Sequence, residues 1–184
     1  MIAIGDVTSV LVSIVTFLGA RFKEWVLIFI APVYPKIEPD ILWIIIPIWI
    51  NFLIAELYLE KHGTTIGNAI QNGLVAALVG VDWIRYLMRS GAPMDQILGI
   101  KYAISVVVLV YGCIVIYVGI KGKSLTRRLG KIRAVTYALA VFTPMIYGLV
   151  QVTKSSILAA IIFFPVYYAL VEMIDRRIPT QVYA

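Results

Sequence analysis

The sequence has few of the residues on which metal and nucleotide chemistry depend. It contains a single cysteine, Cys113, and a single histidine, His62, in 184 residues. One cysteine excludes an internal disulfide and a site built from several thiolates, and one histidine excludes the two-histidine metal motifs. The phosphate-binding pattern G-x-x-x-x-G-K-[ST] is also missing from the sequence. We therefore predict a protein with no metal and no cofactor.

Charged residues are scarce as well, because they make up 14% of the chain while 61% of its residues are hydrophobic. Soluble domains are roughly 45–50% apolar and about 25% charged, and a fold of this size leaves too much surface exposed to hide such an excess. The apolar runs are continuous and do not alternate, which favours helices over a barrel. The sequence thus predicts an all-α integral membrane protein that forms a single membrane domain over residues 1–184.

Apolar runs long enough to cross a bilayer occur five times. A hydrocarbon core of about 30 Å needs roughly 20 helical residues. The predicted transmembrane helices are 41–59, 66–88, 97–120, 135–152 and 157–174. Before them, residues 7–31 have the pattern of an amphipathic helix, with Arg21, Lys23 and Glu24 in its interior. Because charge at mid-bilayer is costly, we expect this helix to be interfacial or tilted, with a sixth span as the alternative.

A basic loop sets the expected orientation. Residues 121–133 contain six Lys and Arg and no acid, and such loops stay in the cytoplasm. We therefore predict a multi-pass protein of the cell membrane whose 121–133 loop and C-terminus are cytoplasmic. The partners expected are the lipid bilayer and, at the loop, anionic lipid head groups; the loop has no aromatic residue for stacking, which argues against nucleic acid. The residues predicted to contact these head groups are Lys123, Arg127, Arg128 and Lys131, with Leu125, Leu129 and Ile132 facing the lipid.

Small residues recur along the second and third predicted spans. They are Ala69, Gly73, Ala76 and Gly80 in the second and Ser105, Gly112 and Gly119 in the third. In lipid, small residues let helix backbones approach closely, so we predict that these two helices pack along the two stripes. Glycine is common in membrane helices in any case, so the alternative remains that these small residues have no role in packing.

Polar residues at membrane depth give the candidate ligand or ion pathway. Asn51 and Glu56 lie in the first predicted span, and Asn68 and Asn72 begin the second from the same side. We expect Glu56 to face protein or water, with Asn68 or Asn72 within a few ångströms, because a carboxylate in lipid is costly. The group could bind a hydrated cation or a polar solute, or relay protons. The alternative is that these side chains only hydrogen-bond the helices together.

Further charges lie near the ends of the predicted spans. Asp82 and Arg85 are three residues apart, beside aromatic residues typical of an interface. They are therefore predicted to form an ion pair at the outer end of the second span. Glu172 and Asp175 in the last span have the pattern of an ordinary helix end.

The functional expectation follows from these polar groups. A lone histidine offers no serine–histidine pair, and Asp82 has no second aspartate at a matching depth for an aspartyl mechanism, so we predict that the protein is not an enzyme. We expect a protein of transport type, which means a channel, a carrier or a solute-binding membrane subunit. A bundle this small suggests a homo-oligomer or a partner membrane subunit. The alternative is a non-catalytic membrane scaffold or assembly subunit of a larger complex.

Overall fold

Helices account for all regular secondary structure in the residues that the computed structural model describes, 4–33, 39–60 and 63–178. The predicted all-α class is confirmed. The helices are α1 Ile4–Ile30, α2 Pro39–Ile54, α3 Ile66–Arg89, α4 Gln96–Ile120, α5 Leu125–Leu129, α6 Ile132–Ile146 and α7 Lys154–Arg177. A 3-10 turn, Ala31–Val33, follows α1, and a π-helical turn, Ala55–Leu59, continues α2.

Three helices in the described part of the chain are long and apolar enough to cross a membrane. They are Pro39–Leu59, which joins α2 to its π turn, Gln96–Ile120 and Lys154–Arg177. These correspond to the first, third and fifth predicted spans. α3 covers the second predicted span and also carries several polar side chains, and α6 is apolar but has only 15 residues.

The helix predicted over 135–152 differs most from the structure. α6 begins earlier, at Ile132, and ends at Ile146, a length of about 22 Å at 1.5 Å per residue. Gly148 has φ +77°, the left-handed conformation in which glycine commonly closes a helix. The N–H groups of Leu149 and Val150 then donate to the carbonyl of Pro144, at 2.9 and 3.2 Å. Because the residues after the turn are also apolar, a prediction based on hydropathy extends the helix beyond its end at Ile146.

α3 and α4 pack with their backbones in direct contact, as the small-residue stripes predicted. A methyl group on Gly112 would lie 2.5 Å from both the amide nitrogen of Ala77 and the carbonyl oxygen of Gly73. On Gly80 it would lie 2.7 Å from the amide nitrogen of Leu109. Only glycine permits this approach, so these residues have a structural role.

The C-terminal part of α1 packs against the bundle. Trp25 is buried and its indole N–H donates to the hydroxyl of Tyr137 at 2.9 Å. Ser155 donates to the carboxylate of Glu24 at 2.7 Å, and Arg21 pairs with the same carboxylate at 3.0 Å. Every residue from 8 to 20 is exposed. Arg21 and Glu24, two of the charged residues inside the predicted amphipathic helix, therefore lie where α1 meets α7, whereas Lys23 is exposed.

The helices leave two polar ends on the bundle. At the end that we call the loop end, the π turn after α2, the beginnings of α3 and α6, and the end of α7 come together. The opposite end contains the end of α3, the beginning of α4 and the end of α6. The residues proposed below to carry function lie at the loop end.

Candidate functional site

A cavity of about 340 Å³ opens at the loop end, between the end of α2, the beginning of α6 and the end of α7. Its lining is mostly charged. The lining residues include the carboxylates of Glu56, Glu60, Glu172 and Asp175, the cations of Lys131 and Arg133, and the ring of Tyr168. Among the described residues no group of three or more His, Cys, Asp or Glu is placed to hold a metal ion, so the four carboxylates do not form a metal site.

Arg133 is the centre of this cavity wall. Its Nε donates to Glu56 Oε1 at 2.7 Å, and its Nη2 lies 2.5 Å from the same oxygen. Its Nη1 donates to Glu172, and its Nη2 lies 3.4 Å from Asp175 Oδ2. The guanidinium also lies over the ring of Tyr168, 4.9 Å from its centroid. One arginine thus joins α2, α6 and α7 by charge-assisted hydrogen bonds, which are the strong ones.

Glu56 lies in the π turn. The amide of Glu60 donates to the carbonyl of Ala55 at 2.8 Å, five residues back, so this turn holds one residue more than an α-helical turn. π turns inside helices are rare and frequently occur at functional sites. Glu56 is 4% exposed, which agrees with the expectation that it avoids lipid.

Neither Asn68 nor Asn72 hydrogen-bonds to Glu56, although the sequence predicts one of them within a few ångströms of it. Glu56 is bonded to Arg133 instead, and the Asn72 amide donates to Glu60 Oε1 at 3.0 Å. Asn68 donates to the carbonyl of Leu59 at 3.0 Å. The reason is that Arg133, at the N-terminus of α6, forms an ion pair with Glu56 that a neutral amide cannot replace. Glu60 instead lies next to α3, where it accepts from Asn72.

The two asparagines nearest the bundle centre hold helices together. Asn51 donates to Asn72 Oδ1 at 3.4 Å and accepts from Gln71 at 3.1 Å. Asn72 also donates to the carbonyl of Gly130 at 2.8 Å. Asn51 and Asn72 therefore link α2, α3 and the α5–α6 connection, and neither lines the cavity.

The basic segment 121–133 is more ordered than a loop. It contains α5, with Thr126 and Gly130 buried. Ile132, predicted to face lipid, is 1% exposed and belongs to the core. The four cations predicted to contact lipid head groups, Lys123, Arg127, Arg128 and Lys131, are all exposed, and Lys131 also lines the cavity.

The ion pair predicted between Asp82 and Arg85 is present, at 2.5 Å, at the end opposite the cavity. The Tyr147 hydroxyl donates to the other Asp82 oxygen at 2.6 Å, and the ring of Tyr147 stacks on Tyr86 with centroids 4.0 Å apart. The hydrogen bond between Tyr147 and Asp82 therefore links the end of α6 to α3.

Sequence reasoning missed Arg133, Glu172 and Asp175 as site residues. Arg133 was counted among the loop cations, and the two acids were interpreted as an ordinary helix end. The available signal was that both acids, like Glu56, fall at the same predicted end of the bundle as the basic segment.

Comparison of the chain with protein-family models, with curated proteins and with solved structures finds no match.

Proposed function

We propose that the protein is a membrane protein of transport type, a channel, carrier or solute-binding membrane subunit, whose solute binds in the cavity beside Glu56. The observation that supports this proposal is a buried carboxylate on a π turn that forms the wall of a polar cavity. Ionisable groups in helices that meet lipid are expensive, and by default they indicate a functional site.

The lining charges favour a small cation or a polar solute rich in N–H donors. Four carboxylates against two cations, Lys131 and Arg133, give a formal charge of 2 − 4 = −2 when all are ionised. An anion would be repelled by this excess, as like charges in a partly desolvated cavity are. A volume of about 340 Å³ lies at the lower end of the range of about 300–1,000 Å³ of small-molecule pockets, which argues for a small solute.

The membrane arrangement that we propose has five spans. α3 and α6 would lie in the bilayer beside the three apolar helices, with α1 interfacial or tilted. α3 packs along α4, and the core of α6 is covered by α2, α3 and α7, so a short or polar helix there is surrounded by protein. The excess of cations in residues 121–133 supports a cytoplasmic loop end and C-terminus in the cell membrane.

A second candidate function is a non-catalytic scaffold or assembly subunit. The stretch 10–20 of α1 favours it, because this part of the helix is exposed throughout, and a subunit presents such a helix surface to another membrane protein. In either case we expect a homo-oligomer or a partner membrane subunit.

Uptake into liposomes separates the two functions. Reconstituted protein is offered labelled guanidinium, methylammonium and Na⁺, and we expect saturable uptake that is lost in Glu56→Gln while thermal stability is retained. Glu172→Gln is the matched control, because it removes one carboxylate from the same cavity at a side chain that is 37% exposed, and a smaller loss is expected. If the wild type takes up none of these probes, and Glu56→Leu lowers the melting temperature more than Glu56→Gln, the scaffold is favoured.

A further inference from the structure

One buried hydroxyl on α7, the helix whose end lines the cavity, has no hydrogen-bond partner among the described residues. It belongs to Tyr167 of α7, which is 6% exposed. The ring is held firmly, with the ring centroid of Tyr137 at 4.8 Å and those of Phe29 and Phe52 both at 6.3 Å. Leaving such a hydroxyl unpaired away from water costs free energy, and native structures rarely do so without a reason.

The position of Tyr167 ties it to the candidate site. Tyr168, the next residue, lines the cavity, and Phe52, which contacts the Tyr167 ring, lies one helical turn before Glu56. Tyr167 interacts electrostatically with Glu56, Arg133 and Tyr137. The ring contact with Phe52 and the position of Tyr168 in the cavity lining therefore place Tyr167 in the neighbourhood of the ion pair between Glu56 and Arg133.

We propose that Tyr167 and Glu56 together bind a buried water, and that Glu56 is a proton-binding site that couples solute movement to protons. The inference rests on the proposed function and adds its coupling ion. The proton comes from a hydronium ion in the cavity: an O–H bond of the hydronium breaks, an O–H bond forms on the Glu56 carboxylate, and a water molecule is left. The neutral acid then donates its hydrogen bond to the water held by Tyr167.

The surroundings of Glu56 suit a proton better than a metal ion. The rings of Phe29, Phe52 and Tyr137 pack around the Tyr167 ring. Among the described residues no group of three or more His, Cys, Asp or Glu is placed to hold a metal ion, whereas Mg²⁺ and Ca²⁺ need several oxygen ligands. A water with two partners, one hydroxyl and one carboxyl group, satisfies the minimum that buried water requires.

The charged groups around Glu56 allow it to bind and release a proton. Arg133 of α6 faces it directly, and Asp175 of α7 and Glu60 beyond the π turn act on it electrostatically. When Glu56 becomes neutral, Arg133 still has Glu172 and Asp175 as partners, so it is not left as an unpaired buried charge. Proton binding therefore breaks the ion pair of Arg133 with Glu56 and keeps its ion pairs with Glu172 and Asp175.

The test compares two adjacent tyrosines in protein reconstituted in nanodiscs. Infrared difference spectra between acidic and alkaline pH are recorded, and the carboxylic acid band of Glu56 is identified by its loss in Glu56→Gln. In Tyr167→Phe we expect this band to shift and the melting temperature to fall, because a bonded hydroxyl has been removed. In Tyr168→Phe, whose ring lines the same cavity, we expect the band to stay in place.

An unshifted band in Tyr167→Phe, or a melting temperature equal to or above that of the wild type, overturns the inference. If Tyr167→Phe does not fold, a high-resolution experimental structure of the wild type decides. Water within hydrogen-bond distance of both Tyr167 Oη and a Glu56 oxygen supports the inference, and its absence there overturns it. None of these measurements uses solute uptake, so the coupling ion and the proposed function can fail separately.

Discussion

Gly112 offers a quantitative test of how closely α3 and α4 pack. In Gly112→Ala the new methyl group would lie 2.5 Å from the amide nitrogen of Ala77 and from the carbonyl oxygen of Gly73. Both atoms belong to backbone and cannot rotate away, so the helices must separate by about 1 Å to reach ordinary carbon contact distances of about 3.5 Å. Overpacking of this kind costs about 1–3 kcal/mol.

Gly99→Ala provides the control for this prediction. Gly99 lies in the same helix, α4, and nothing lies within 4 Å of a methyl group placed on it. Both variants gain about 1 kcal/mol of helix propensity when glycine becomes alanine. Since that gain is common to the two, we expect Gly112→Ala to be less stable than Gly99→Ala by the steric cost alone, about 1–3 kcal/mol.

The free energy of unfolding is measured by titrating sodium dodecyl sulfate into micelles and following tryptophan fluorescence. A difference of 1.4 kcal/mol corresponds to about a tenfold change in the unfolding equilibrium constant, so the predicted range is easily resolved. Equal stabilities for Gly112→Ala and Gly99→Ala would refute the backbone contact between α3 and α4.

Three further predictions concern the charged residues. Arg133→Lys should lower the free energy of unfolding by about 3 kcal/mol, because an ammonium cannot hold three carboxylates in a plane, whereas Arg176→Lys, at an exposed pair, should change it by less than about 1 kcal/mol in the same titration. A thiol introduced by Ser124→Cys on a Cys113→Ala background should react only with reagents supplied from the cytoplasmic side, and labelling from outside contradicts the orientation. In a peptide of residues 121–133, Arg128→Gln should weaken binding to vesicles containing anionic lipid by about 1 kcal/mol in a sedimentation assay and leave binding to neutral vesicles unchanged; equal effects on both vesicles contradict head-group contact.

Helix existence was predictable from this sequence, and helix ends were only partly so. Continuous apolar runs require helices in lipid, and α2, α4 and α7 follow from that alone. The end of α6 depends on the left-handed Gly148, which a hydropathy window passes over because apolar residues continue beyond it. The contact of Gly112 with α3 was predictable because small residues at regular spacing have a direct geometric meaning.

The site was harder to predict, because its partners are distant in the chain. The positions of Glu56, Asn68 and Asn72 in their predicted spans place Glu56 at the level of the beginning of α3, but they do not indicate which residue of α6 points to Glu56. Arg133 and Glu56 are 77 residues apart, and their contact depends on how α6 packs against α2. The π turn adds one residue to the helix before Glu60, and no propensity pattern in these apolar residues indicates it.

The Arg133 cluster has a consequence for the order in which the chain assembles. Glu56 precedes Arg133, whereas Glu172 and Asp175 follow it by 39 and 42 residues. While α6 is being synthesised and inserted, Glu56 is the one carboxylate partner of Arg133 that has been made, and the two α7 carboxylates are still missing. The pairs with Glu172 and Asp175 form only when α7 arrives, and the same event encloses the cavity. The charge that insertion machinery meets is therefore different from the charge that the folded protein presents.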